Sequence, residues 1–169
     1  MYKRQLLGEA TQTRSLTLLV NSENSFKTAT AQFLSDQWRS AGLEVQVESL
    51  AWEDYLATLA QGRFDLCLAE VSLTADFDLT ALLSSGGELN YGGWSSGTTD
   101  ALLTAFRLAR SGEESISVAG NLYAHLAEQV PLVPIGFKNH SVLTQWQTVT
   151  GLTPTQNNPF YGMTWSLTQ

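Results

Sequence analysis

Two stretches of this 169-residue chain carry residue types at spacings suited to chemistry. The first is Gly93-Trp94-Ser95-Ser96-Gly97. It fits G-x-S-x-G, the elbow that presents a serine hydroxyl on a sharp strand-to-helix turn. A serine hydrolase using Ser95 would need a strand directly before the elbow, but Ser84 to Tyr91 is glycine-rich and polar. Its acid would have to be Glu113, Glu114 or Glu128, since no Asp follows Asp100, and its base His125 or His140. The competing reading is a turn closed by a Ser or Thr helix cap.

The second stretch is Leu73-Thr74-Ala75-Asp76-Phe77-Asp78, which directly follows an apolar run. In open parallel sheets, ligands bind in the crevice outside the carboxyl ends of the strands. A carboxylate there, beside an aromatic ring, suits a cation such as a peptide α-amine, held by a charge-assisted bond. The alternative is that Asp76 or Asp78 caps a helix starting near Thr80.

Elsewhere the chemistry thins out. Neither G-x-x-x-x-G-K nor G-x-G-x-x-G occurs, so no phosphate-cradling loop is expected. His125 and His140 lack metal-site spacing. The single cysteine, Cys67, rules out an internal disulfide and lies in the run Phe64-Asp65-Leu66-Cys67-Leu68-Ala69, where it reads as a small buried hydrophobe. No cofactor and no metal are expected.

Composition narrows the classes. Charged residues are 15% of the chain, below the ~25% of ordinary soluble domains, and hydrophobic residues are 43%. A net charge of −7 with nine Lys plus Arg argues against nucleic acid and against an anionic membrane surface. No apolar run reaches the ~20 residues needed to span a bilayer, and the start, Met1-Tyr2-Lys3-Arg4-Gln5, does not read as a signal peptide. Residues 1–13 are set aside as a disordered or non-native start.

Strands and helices alternate along the next segment. Leu16–Val20 is an apolar strand. Phe26, Phe33, Leu34, Trp38 and Ala41 recur at helical spacing up to a C-capping Gly42. Leu43–Glu48 alternates as a half-buried strand. Trp52, Tyr55, Leu56, Leu59 and Ala60 mark a second helix stopped by Gly62, and Phe64–Val71 reads as a third, central strand. Helices follow over 99–110, with Leu102, Leu103 and Phe106 on one face, and over 113–129, with Ile116, Leu122, Tyr123 and Leu126. Pro131–Phe137 reads as an edge strand. The β-α-β-α-β order implies an α/β fold, a mostly parallel sheet with helices on both faces. The aromatics Trp146, Phe160, Tyr161 and Trp165 stand in a weakly periodic tail that either wraps its own domain or returns to a partner domain.

Ordered segments resemble family 5 of the bacterial extracellular solute-binding proteins, the oligopeptide, dipeptide and nickel binders. They are Gly42-Leu43-Glu44-Val45; Tyr55-Leu56, Leu59 and Gly62-Arg63-Phe64-Asp65-Leu66; Ala75-Asp76-Phe77; Asn90-Tyr91-Gly92-Gly93-Trp94 with Asp100-Ala101-Leu102-Leu103; and Tyr123 with Pro131-Leu132-Val133-Pro134-Ile135. The resemblance implies a periplasmic-binding-protein (type II) lobe over 14–146, with 147–169 returning toward a first lobe missing from this chain. It implies a receptor that encloses a short peptide or similar small solute and hands it to an ABC transporter permease outside the cytoplasm. The acid that pairs with the peptide amine in such proteins matches Asp76. Leu73, Thr74, Ala75 and Phe77 surround it in sequence, and Asn90, Tyr91 and Trp94 complete the expected ligand-binding set. Leu73 stands where many members have Trp, and Asp78-Leu79-Thr80 where many have Pro. A ligand-sensing domain of a transcriptional regulator is the runner-up; a lipobox or a helix-turn-helix upstream would separate the two.

Overall fold

Leu16–Asn21 forms β1, a strand apolar on both faces. Leu18 and Val20 pack with Ala31 and Val45 on one side, and Leu19 packs with Tyr55 and Leu59 on the other. A strand covered on both faces is buried throughout, which is why its sequence does not alternate. The computed structural model that shows this describes residues 15–137, 149–151, 153, 155, 158 and 160–165.

β1 pairs in parallel with β2 (Val45–Leu50), Leu16 standing opposite Val45, and with β3 (Leu66–Leu68), Leu18 standing opposite Leu66. The strand order is β2-β1-β3. Parallel neighbours need crossovers, and helices supply both of them. The first is α1 (Ser25–Ser40), capped by the Asn24 side chain, which accepts from Lys27 N at 3.1 Å. The second is α2 (Trp52–Ala60), whose Ala51 offers no side-chain cap. Glu23 fills that role from the turn after β1: its carboxylate accepts from Trp52 N at 3.1 Å. Gly42 and Gly62, at φ +97° and +63°, end the two helices in left-handed backbone. The expected α/β architecture, a parallel sheet with helices on both faces, is what the chain forms.

Several details differ from the sequence reading. The central strand is β1, and β3 is a three-residue edge strand rather than a central strand over 64–71. The apolar run outlasts the pairing because β1 ends at Asn21, opposite Leu50, and Leu66 already lies 38% exposed. Phe26 and Phe33 are exposed, and α1 meets the sheet through Ala31 and Ser35, flanked by Trp38. Small residues let the helix approach, and Ser35 donates its hydroxyl to Val45 O at 3.4 Å. Leu132–Phe137 forms no strand, and Leu132, Val133, Ile135 and Phe137 are all exposed. Pro131 and Pro134 bring no N–H to a ladder, which weakens pairing in such a short segment.

Three further helices gather around a separate core. They are α3 (Thr80–Leu83), α4 (Gly97–Leu108) and α5 (Gly112–Gln129). Leu83, Leu103 and Leu122 form that core, with Trp94, Leu102 and Leu126 against it. Ile116 and Tyr123, expected on the same face of α5, are exposed. Ser96 and Ser111 cap α4 and α5, accepting from Thr99 N at 3.2 Å and from Glu114 N at 3.1 Å.

α5 ends at Val130 in the left-handed region, φ +52°. A β-branched residue is strained there, and the following proline disfavours helical backbone as well. Val130→Gly should therefore raise stability by about 1 kcal/mol, after the extra chain entropy of glycine is subtracted. The midpoint of urea unfolding reads it; a lowered midpoint would mean that Val130 makes contacts worth more than its strain.

The chain divides into two compact units, Met1–Pro131 and Leu132–Gln169. In the second, β4 (Val149–Thr150) and β5 (Thr164–Trp165) pair antiparallel, and Phe160 and Tyr161 are exposed. Trp146 and His140 lie outside the described residues.

Candidate functional site

The parallel sheet delivers the chain into its candidate site at the carboxyl end of β3. Tyr55 of α2 closes that end from inside, donating its hydroxyl to Leu68 O at 3.1 Å. Burial, and after it the neighbouring Cys67 and Tyr91, push the Tyr55 phenol up to about 12. The free phenol titrates near ~10, so folding favours its neutral form. That contribution is complete below pH ~10 and is lost as pH rises towards about 12. Urea unfolding across this window should show falling stability in the wild type and a flatter profile in Tyr55→Phe. Equal slopes would assign the loss to other groups. Burial also raises the Cys67 thiol, which disfavours the reactive thiolate.

The loop after β3 is tied at both ends. Glu70 pairs with Lys27 of α1 at 3.2 Å, where the lysine side chain is only 14% exposed. Asp78 pairs with Arg107 in the last turn of α4 at 3.7 Å. Asp78 also accepts from Thr80 N at 2.9 Å and from the Thr80 hydroxyl. Asp78, then, takes the amide at the start of α3.

Between these anchors Thr74 organises a tight turn. Its carbonyl accepts from Phe77 N at 2.9 Å, and its hydroxyl oxygen accepts from Asp78 N at 3.2 Å. Its hydroxyl also bonds the Asp76 carboxylate, which stands in solvent and is held below the usual carboxylate range, chiefly by that bond. Phe77 adopts φ +57° and is 47% exposed. Leu73 is half-buried and Ala75 exposed. The turn presents a solvated, ionised carboxylate on a well-braced backbone, suited to a cation.

The second loop, 84–96, is built on Asn90. Its amide nitrogen donates to Ser84 O at 3.0 Å and Trp94 O at 2.7 Å, and its oxygen accepts from Trp94 N at 2.9 Å. The Trp94 indole donates to the Thr99 hydroxyl at 3.2 Å. Asn90 and Trp94, both expected to face a ligand, thus use these polar groups inside the protein. Tyr91 is 37% exposed and close enough to Tyr55 to raise its pKa.

Residues outside the expected ligand-binding set hold this loop in place. Asp100 accepts from Ser85 N at 2.8 Å and from the Ser85 hydroxyl at 2.6 Å, bonds that lower its pKa. The signal was present in the sequence as an acid in the first turn of a helix. Ser95 meets the Ser85 hydroxyl at 3.3 Å, and His125 Nε2 meets the Thr99 hydroxyl at 3.1 Å. The segment before Ser95 is a run of turns, and Ser96 caps a helix. The strand that a nucleophile elbow requires is therefore not there.

No protein-family model matches the chain, and no curated protein does. Solved structures do. The oligopeptide-binding protein AppA of Bacillus subtilis, solved with a nonapeptide, is 21% identical, with a TM-score of 0.68 over 77% of this chain and 30% of that one. The murein tripeptide-binding protein MppA of Escherichia coli is 25% identical, with a TM-score of 0.66 over 77% of this chain and 27% of that one. NikA of Staphylococcus aureus, solved with Ni(L-His)2, is 15% identical, with a TM-score of 0.67 over 76% of this chain and 29% of that one.

The fold is that of the periplasmic solute-binding proteins. The resemblance to family 5 stated from sequence segments holds at the level of fold. The solved structures that resemble the chain include an oligopeptide-binding protein, an ABC transporter substrate-binding protein and a protein holding a nickel–histidine complex. The chain spans less than a third of the length of each.

Proposed function

We propose that this chain is the second lobe of a family 5 extracellular solute-binding protein, closing with a first lobe over a short peptide that is passed to an ABC transporter permease. The observation that carries this reading is Asp76. It is an exposed carboxylate with a lowered pKa, on a doubly anchored turn after β3 of a solute-binding fold. Its partner is the α-amine of the peptide. The exposed ring of Phe77 and that of Tyr91 offer apolar cover to the neighbouring side chains, and Leu73, Thr74 and Ala75 supply the turn. The protein works outside the cytoplasm, it performs no chemistry, and its binding depends on closure of two lobes.

Calorimetry on the full-length protein tests this, with tri- and tetrapeptides set against nickel–histidine. Peptide binding is expected, and the 169-residue chain alone should bind the same peptides weakly or not at all. Tight binding of nickel–histidine and none of peptides would sink the peptide assignment. Tight peptide binding by the chain alone would sink the two-lobe reading.

A further inference from the structure

Three polar side chains outside the Asp76 turn form a line. The Trp94 indole nitrogen lies 3.2 Å from Thr99 Oγ1, and Thr99 Oγ1 lies 3.1 Å from His125 Nε2. Thr99, in the first turn of α4, is 0% exposed. An indole N–H can only donate. Thr99 Oγ1 therefore accepts on its Trp94 side, and its own hydrogen remains to be placed. Among the described residues, the other polar group bonded to this oxygen is His125 Nε2. Were Nε2 to carry the proton, it would donate to Thr99 and leave the threonine hydrogen stranded in a site closed to water, a costly arrangement.

We propose that Trp94, Thr99 and His125 form a directed hydrogen-bond chain, with His125 as its accepting end and its proton on Nδ1, and that this chain positions the loop bearing Tyr91. The coupling runs through Trp94. Its main-chain N–H and C=O are both bonded to the Asn90 side chain, and Tyr91 is the next residue. Displacing the indole displaces the platform under Tyr91. His125 is thus a positioning residue. Its effect on solute binding rests on the reading of this loop given under Proposed function; the tautomer does not.

Nitrogen–proton correlation spectra of 15N-histidine-labelled protein read the tautomer directly. Wild type and Thr99→Ser should show His125 protonated at Nδ1 and bare at Nε2. Thr99→Val, which keeps the shape and removes the hydroxyl, should release the ring towards the Nε2-protonated form that neutral imidazole prefers in water. The Tyr91 ring signals should move in Thr99→Val and stay in place in Thr99→Ser. In the full-length protein, affinity for an alanine tetrapeptide should fall about tenfold in Thr99→Val and recover to within about twofold of wild type in Thr99→Ser. An Nε2-protonated His125 in the wild type overturns the chain, and so do unmoved Tyr91 signals in folded Thr99→Val. A wild type that binds no tetrapeptide counts against the peptide reading alone, because the tautomer and the Tyr91 signals still decide this proposal.

Discussion

In the full-length protein, Asp76→Ala is expected to weaken peptides with a free amino terminus by about 30-fold or more, because the ammonium loses its charged partner inside a closed site. The lowered pKa of Asp76 means that it is ionised throughout the neutral range, so the loss should not vary between about pH 5.5 and 6.5, where the peptide amine also stays protonated. The decisive arm alters the ligand. N-acetylated peptides should bind the wild type poorly and lose little more on Asp76→Ala, since the same interaction is already gone. Such a cycle separates the pair from general damage to the site. Independent, additive losses would show that Asp76 does not contact the amine, and the ligand would revert to an unspecified solute.

The largest stability effect should come from Leu19→Ala. Leu19 is 0% exposed at the middle of the central strand and packs on Tyr55 and Leu59 of α2, with Leu50, Phe64 and Cys67 around them. Truncation removes buried methylene and methyl groups and leaves a cavity between strand and helix that two packed layers can close only in part. A loss of about 3 kcal/mol is expected, within the range of roughly 2–5 for buried Leu→Ala. Leu18→Ala on the opposite face should cost a similar amount through Val20, Ala31 and Val45. Urea unfolding measures both. A loss below about 1 kcal/mol for Leu19→Ala would mean that α2 collapses onto the gap, and that this face is less tightly packed than its burial implies.

The parallel sheet was legible because its signals were local and agreed with one another. Leu16–Val20 is apolar without alternation, Val45 and Val47 alternate, and glycines stand where both crossover helices stop. What misled was the assumption that the largest residues mark the buried face. Ala31 and Ser35 face the sheet in α1, and Phe26 and Phe33 do not, because close helix–sheet contact favours small side chains. The position of Asp76 after a strand was readable from topology alone. The internal bonds of Asn90 and Trp94 were not, since nothing in a sequence tells whether a side-chain amide or an indole N–H finds a partner in its own loop. The same blindness hid Asp100 and Ser85, which meet across a turn.

The buried hydrophobic residues described in the first compact unit fall into clusters with no shared members: two flank the sheet, and one lies among α3, α4 and α5. Between the sheet and the helical trio runs the chain from Ala69 to Leu79. The carboxylate proposed to hold the solute thus sits on the seam between two blocks, each with its own core. Amide exchange should then report two foldons, with the seam opening at lower free energy than either. A solute that grips Asp76 would act as a staple across the seam, slowing exchange in both blocks at once. Binding and local folding would then be measured on one scale.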